Sequence, residues 1–220
     1  MKKPKIFIAC DTTSLTKVKK IIKQSKTNKF KIGYKFGLEF MNSKNGRGFV
    51  SKLRNKIIFV DLKLNDTVNT MLSTVKALRD LRIDYLTVHI SSGLAALKAV
   101  KKISGSTKII GVTTLTSLNN KDLKLIGYNK SVKNLVAQQA RLAKKASLDA
   151  LVCSPYEVNT VRKIFKKEII TPGVQIGKKN YDQKRSMKAE KVKSDWLVIG
   201  RAITRGNIKK NIQNLFEKLR

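Results

Sequence analysis

One stretch of the sequence, Ile57 to Asp66, carries two carboxylates and an ammonium group next to an apolar run. Asp61 and Lys63 stand two residues apart at the end of this run, which reads as a buried strand. Because alternate residues of a strand share a face, both side chains are expected to point to the same side. A carboxylate and an ammonium buried together keep each other charged. The stretch therefore indicates proton transfer beside a fixed negative charge, without a metal or an organic cofactor.

Other polar residues follow the ends of neighbouring apolar runs. Asp11 follows the first run, and Lys35 lies at the end of the second. Lys35, with Asp61 and Lys63, predicts an alternating Lys-Asp-Lys-Asp array if Asp66 also reaches the site. His89, the single histidine, ends the fourth run, a position that would also suit a general base.

Two later segments are typical of phosphate binding. Thr171-Pro172-Gly173 follows the seventh run, and Gly200-Arg201 follows the eighth. A glycine lets the main chain approach an anion closely, and an arginine adds charge and directed donors. The loops at these two strand ends often bind a phosphoryl group in (β/α)8 barrels.

Eight apolar runs alternate with segments of helical periodicity, which favours a parallel sheet. Within 220 residues, the economical closed form is a compact α/β fold, a single-domain (β/α)8 TIM barrel covering residues 1–220. An open doubly wound sheet is the alternative, but the first run leads into Cys10-Asp11 and not into a glycine-rich turn. The runs are Lys5–Cys10, Phe30–Phe36, Ile57–Leu62, Tyr85–Ile90, Lys108–Thr113, Ala150–Cys153, Ile169–Thr171 and Trp196–Ile199.

The composition is strongly basic, with 48 lysines and arginines against 14 acidic residues and a formal net charge of +34. Nucleic-acid binding is one interpretation, but it requires a basic patch or stripe, and these lysines are spread along the chain. A lysine-rich solvated surface is favoured.

No apolar run is long enough to cross a membrane, and 41% hydrophobic residues argue against disorder. We expect a cytoplasmic protein that binds neither membranes nor nucleic acids.

Taken together, these segments resemble the bacterial orotidine 5′-phosphate decarboxylase family, in order and spacing, from Asp11 to Thr204. The most specific match is Asp61-Leu62-Lys63-Leu64-Asn65-Asp66 followed by Asn69-Thr70, which fits the family's DLK-xx-D-x-x-N-T signature. The other matching segments are Lys35–Glu39, Thr87–His89, Leu115–Leu118, Val152–Pro155, Thr171–Gly173, Asp182–Arg185 and Val198–Arg201.

The resemblance implies a cofactor-independent decarboxylation of orotidine 5′-monophosphate to uridine 5′-monophosphate. Lys63 would protonate C6 of the pyrimidine, and Asp61 would face the substrate carboxylate. Lys35 and Asp66 would complete the charged array. The resemblance also implies a homodimer, in which Asp66 and Thr70 reach the active site of the partner subunit.

The resemblance further implies a set of substrate-binding residues. Asp11 and Lys35 would hold ribose hydroxyls, and Thr116 would read the pyrimidine edge. The 5′-phosphate would be held by Gln183, Gly200 and Arg201. Gln175 stands where the family usually has an arginine, so it is a further expected site residue.

Two other functions remain open. Sugar-phosphate decarboxylases and synthases of the same suprafamily share the D-x-K-x-x-D signature but use magnesium. Thr116-Ser117 and Asp182–Arg185 favour the nucleotide branch. The other is a basic nucleic-acid-binding barrel that has lost its activity, although every member of the charged array is present.

Overall fold

The computed structural model describes residues 4–175 and 187–219. Eight parallel strands form a closed barrel in which each strand pairs with the next along the chain and the last pairs with the first. These strands are β1 Lys5–Ala9, β2 Lys31–Gly37, β3 Ile57–Leu64, β4 Tyr85–His89, β5 Lys108–Val112, β6 Ala150–Val152, β7 Glu168–Thr171 and β10 Trp196–Ile199. A separate short parallel pair, β8 Val174–Gln175 and β9 Met187–Lys188, comes before β10. The predicted TIM barrel is confirmed, and its closure excludes the open sheet.

The helices lie between the strands in sequence or follow the last strand, and they present apolar residues to the barrel. Helix α1 begins after Ser14, whose hydroxyl caps it by accepting from the Lys17 main chain, and it buries Val18 and Ile21. Within residues 4–175 and 187–219, none of the helices has the length and apolar character needed to cross a bilayer. The helices are α1 Leu15–Gln24, α2 Leu38–Met41, α3 Gly46–Val50, α4 Val68–Ala77, α5 Gly93–Ile103, α6 Asn120–Leu125, α7 Val132–Lys145, α8 Val158–Ile164, α9 Arg201–Thr204 and α10 Ile208–Leu219.

Three aspartates tie strands together in pairs at the amino-terminal end of the barrel. Each aspartate directly precedes a strand, donates its main-chain N–H to a carbonyl of the preceding barrel strand, and accepts that same residue's N–H on its carboxylate. Each pair of hydrogen bonds fixes the register of two strands: β3 with β4, β5 with β6, and β7 with β10. We call them the aspartate clamps; they join Asp84 to Ile58, Asp149 to Ile109 and Asp195 to Ile169.

Glu168 closes the same end of the barrel, opposite the strand ends that carry the predicted site. Its Oε2 accepts from Tyr85 at 2.9 Å and from Lys108 at 3.0 Å, and its Oε1 accepts from Lys5 and from the Trp196 indole, each at 3.2 Å. Burial by itself raises the pKa of Glu168, but the hydrogen bonds from Lys108, Tyr85 and Trp196 outweigh it and lower the pKa to about 2. Glu168 is therefore ionised through the ordinary pH range and holds four side chains together.

We predict that Glu168→Gln destabilises the barrel at neutral pH. The carboxylate has a lowered pKa in the folded chain, so its stabilising effect is present above about pH 4.5 and is lost as the pH falls toward 2. Urea unfolding followed by Trp196 fluorescence should show a loss of about 2 kcal/mol at pH 7, and a smaller loss at pH 3.

The exposed Glu190 provides the matched control, because Glu190→Gln removes the same charge from the surface. A Glu168→Gln protein that unfolds at the same urea concentration as the Glu190→Gln control at pH 7 would contradict this role of Glu168.

Candidate active site

The Asp61 carboxylate lies at the centre of a charged array at the carboxyl ends of β1, β2 and β3. Its Oδ2 accepts from Lys63 Nζ at 2.9 Å and lies 3.4 Å from Lys35 Nζ. Lys35 Nζ also donates to Asp11 Oδ1 at 2.9 Å. The structure therefore brings Asp11, Lys35, Asp61 and Lys63 together as one chain of alternating charges.

Burial is the largest single effect on Asp61 and on Lys35, but the charges and hydrogen bonds of their neighbours together outweigh it. Burial alone raises the pKa of Asp61, but Lys35 and then Lys63 outweigh it and hold the pKa below its ordinary value. Burial alone lowers the pKa of Lys35, but Asp61 and Asp11 outweigh it and raise the pKa. Asp61 and Lys35 are therefore both charged at neutral pH, inside a region from which most water is excluded.

The backbone at Lys63 is not the regular strand that the sequence pattern predicts. Lys63 has a φ of 50°, in the left-handed region that is sterically unfavourable for any residue with a Cβ atom. The β3–β4 register passes from Val60 opposite Leu86 to Leu64 opposite Val88. Three residues of β3 thus face a single residue of β4, Thr87. This bulge, and not simple alternation, sets the direction of the Lys63 side chain.

Two residues that support the array are not among the expected site residues, although both lie in segments that match the family. Thr87 donates to Asp61 Oδ1 at 3.0 Å and accepts from the Lys63 main-chain N–H at 2.8 Å. Gly37 leaves room for the Asp11–Lys35 pair, because a Cβ there would lie 3.3 Å from both Asp11 Oδ1 and Lys35 Nζ. The sequence features that could have pointed to these two residues are a hydroxyl in an otherwise apolar strand and a glycine at a strand end.

A cavity of about 540 Å³ opens at the carboxyl ends of the barrel strands. The array lies on one part of its wall, and the turns after β5, β7 and β10 supply much of the rest. The expected site residues that line it are Asp11, Lys35, Asp61, Lys63, Thr116, Gly200 and Arg201. Thr113, Thr114, Cys153, Pro172 and Gly173 also line it. Seven of the expected site residues of this chain thus line a single cavity.

The remaining expected residues have other positions. Asp66 and Thr70 are exposed and are not among the described residues that line the cavity. Hydrogen bonds from the Thr67 main chain and from Thr70 lower the pKa of Asp66. Gln175 ends β8, next to the lining residue Val174. Gln183 lies outside the described residues.

His89 ends β4 near the array and is half-buried. Burial, followed by the charge of Lys63, lowers the pKa of His89 below its ordinary value. The imidazole is therefore neutral at pH 7, and His89 is not among the described residues that line the cavity.

Comparison with known proteins identifies the family. The model of the orotidine 5′-phosphate decarboxylase / HUMPS family matches residues 4–211. The chain belongs to this family. It is 39% identical to an orotidine 5′-phosphate decarboxylase from Wolbachia sp. subsp. Brugia malayi, over 97% of each chain. It is also 40% identical to one from Wolbachia pipientis subsp. Culex pipiens, covering 90% of this chain and 91% of the relative.

The fold comparison agrees with the family match. A crystal structure of orotidine 5′-phosphate decarboxylase from Lactobacillus acidophilus superimposes with a TM-score of 0.83, 26% identity and 99% coverage of both chains. The resemblance found in the sequence is confirmed, and with it the assignment to an enzyme family named for a decarboxylase.

Possible metal ligands are few in this orotidine 5′-phosphate decarboxylase family member. In the part of the chain that the structure describes, no group of three or more His, Cys, Asp or Glu side chains is arranged to hold a metal ion. Both oxygens of Asp61 already accept from ammonium or hydroxyl groups. A divalent cation at Asp61 would face the two ammonium groups of Lys35 and Lys63.

We predict that Lys35→Met destabilises the folded protein. Methionine is of similar size but leaves Lys63 as the one ammonium partner of Asp61, so the pKa of Asp61 rises and the free energy of unfolding falls by about 2–3 kcal/mol at pH 7. Because Asp61 has a lowered pKa when folded, the loss should shrink below about pH 3.8. Urea unfolding measures both effects.

Lys20→Met, on the exposed face of α1, is the matched control and should change stability little. If Lys35→Met proves as stable as Lys20→Met, the charge of Lys35 does not stabilise buried Asp61.

Proposed function

We propose that the protein decarboxylates orotidine 5′-monophosphate to uridine 5′-monophosphate, a step of pyrimidine biosynthesis, without a cofactor. The observation that carries this proposal is the alternating array of Asp11, Lys35, Asp61 and Lys63 on the wall of a cavity. The family match and the relatives named for this reaction support the same assignment.

The reaction needs a positive group at the carbon that loses carbon dioxide. When the bond from C6 to the carboxylate breaks, its electron pair stays on C6, where no adjacent carbonyl delocalises it. The Lys63 ammonium stabilises this developing charge and then gives C6 a proton, leaving a neutral amine that water reprotonates. Lys63 is suited to this role because its Nζ is fixed by Asp61 at 2.9 Å.

Asp61 supplies negative charge beside the substrate carboxylate. Lys35 and Lys63 keep it ionised, so it cannot relieve repulsion by taking a proton. The repulsion favours departure of the substrate carboxylate as neutral carbon dioxide. Asp11 and Lys35 extend the array toward the ribose, whose hydroxyls they would bind.

Other residues on the cavity wall would bind the rest of the nucleotide. Thr116 would hydrogen-bond to the edge of the pyrimidine, and Gly200 and Arg201 would hold the 5′-phosphate. Gln175 and Gln183 would complete the phosphate contacts. Binding energy from the phosphate, far from C6, helps to orient the ring against Lys63.

The decisive assay follows the ultraviolet absorbance of orotidine 5′-monophosphate with purified protein and a chelator. We expect turnover that survives chelation and falls by about 1,000-fold or more in Lys63→Ala, since Lys63 supplies both charge and proton.

Lys98→Ala, on the exposed surface of α5, should retain wild-type activity and serves as the control. Three results would each overturn the proposal: no turnover by the wild type, loss of activity with chelator, or equal turnover by Lys63→Ala. A wild type that only retards random DNA in a salt-dependent manner would indicate a nucleic-acid-binding barrel instead.

We further propose a homodimer in which Asp66 and Thr70 complete the neighbouring subunit's site. Residues 65–70 are all exposed, and Val68 presents an apolar side chain to solvent in the middle of this segment. Asp66 is held by the Thr67 main chain at 2.7 Å, which fixes a charged group on an open surface. An exposed, ordered segment of this kind is suited to contacting a second copy.

Mixing inactive chains tests this shared site. Asp66→Asn and Lys63→Ala chains, each inactive alone, should regain activity when mixed, because one of the two hybrid sites carries neither change. Random subunit exchange should restore about a quarter of the wild-type activity, since half of the dimers are hybrid. If exchange is verified with labelled chains and no activity returns, the site is not shared.

A further inference from the structure

Because of the bulge in β3, Thr87 is the single β4 residue opposite Asp61, Leu62 and Lys63. Its side chain hydrogen-bonds to two of them, Asp61 and Lys63. Thr87 is fully buried and is not among the described residues that line the cavity. Its Oγ1 accepts the Lys63 N–H at 2.8 Å and donates to Asp61 Oδ1 at 3.0 Å. Asp61 Oδ2 in turn accepts from Lys63 Nζ at 2.9 Å. These three bonds form a closed ring through both ends of Lys63.

We propose that Thr87 is a positioning residue whose hydroxyl holds the Lys63 main chain and the Asp61 carboxylate in the geometry that proton delivery requires. The proposal rests on the decarboxylase function proposed above. Thr87 acts on the substrate only through Lys63 and Asp61.

The direction of each bond makes a hydroxyl necessary at this position. A hydroxyl has one proton and two lone pairs. The Lys63 N–H occupies a lone pair, so the single proton of Thr87 is free for Asp61 Oδ1. A valine of the same shape would leave a buried N–H and a buried carboxylate oxygen each without this partner.

The conformation of Lys63 explains why this support matters. A lysine with a φ of 50° persists only where the surroundings hold it there. Its side chain is a flexible four-carbon stem with a third of its surface exposed, so the main chain determines where Nζ can reach. Displacement of a reacting group by about 1 Å can cost about 100-fold in rate.

The charges around Asp61 come from groups other than Thr87, whose hydrogen bond is the smallest of the effects that lower the pKa of Asp61. Lys35 and Lys63 face the carboxylate from β2 and β3, Asp11 lies beyond Lys35, and His89 lies at the end of β4. Removing the hydroxyl therefore leaves the array charged and the cavity wall in place. The expected defect lies in the chemical step and not in substrate binding.

The test compares Thr87→Val with Thr87→Ser in the intact protein. We expect Thr87→Val to lower kcat by about 100-fold with a much smaller change in KM and in uridine 5′-monophosphate affinity. Thr87→Ser, which keeps the hydroxyl, should restore kcat to within a few-fold of the wild type. Hydrogen exchange of the Lys63 amide should be faster in Thr87→Val than in Thr87→Ser.

Thr107→Val is the matched control, because it removes a hydroxyl that donates to the Ile83 carbonyl just before β4, at the other end of the barrel. It should lower stability without lowering kcat, and so separates loss of a threonine from loss of positioning.

Several outcomes overturn the role of Thr87: wild-type kcat in Thr87→Val, equal loss in Thr87→Ser and Thr87→Val, or a rise in KM with kcat unchanged. Unchanged exchange of the Lys63 amide in Thr87→Val would also overturn it, and this measurement does not depend on activity. A wild type that fails to decarboxylate orotidine 5′-monophosphate refutes the proposed function instead, which is a separate result.

Discussion

A single carboxylate shared by two ammonium groups is the interaction on which the rest of the site depends. Asp61 is buried, and a buried carboxylate is stable only with partners that compensate its lost hydration. Lys35 and Lys63 provide this compensation from two neighbouring strands. Their geometry therefore requires the register of β2 with β3, the bulge in β3 and the close approach at Gly37. The pairing of the barrel strands brings the side chains of Asp61, Lys35 and Lys63 together.

The scarcity of acidic residues gives their positions unusual weight. In a chain with a net charge of +34, a surface carboxylate has many lysines to pair with, and its exact place matters little. Five acids at the two ends of the barrel are different, because each binds a specific group. The aspartate clamps accept main-chain N–H groups, Glu168 joins four side chains, and Asp61 joins two lysines and a threonine. Carboxylates thus differ between the two ends of the barrel: they fix strand register at one end and belong to the candidate active site at the other.

The sequence predicts the regular parts of the molecule well. Apolar runs place all eight barrel strands within two residues of their observed ends, because strands buried on both faces are nearly continuous in apolar residues. Alternation also suggests that Asp61 and Lys63 lie together, but it misses the left-handed backbone of Lys63, which depends on pairing with β4. Thr87 is missed for the same reason. Its importance comes from the residues opposite it in space, and a single polar residue in a strand does not identify them.

The aspartate clamps also bear on where the barrel can be divided. They join β3 to β4, β5 to β6 and β7 to β10. No described aspartate forms such a pair of hydrogen bonds across the junctions between these strand pairs. Six of the eight barrel strands are thus secured in two-strand modules, and β1 and β2 carry no such clamp among the described residues. A circular permutant with new termini between β4 and β5, or between β6 and β7, would keep every module on a continuous piece of chain. A permutant opened inside a module would have to re-form its clamp between the two ends of the polypeptide.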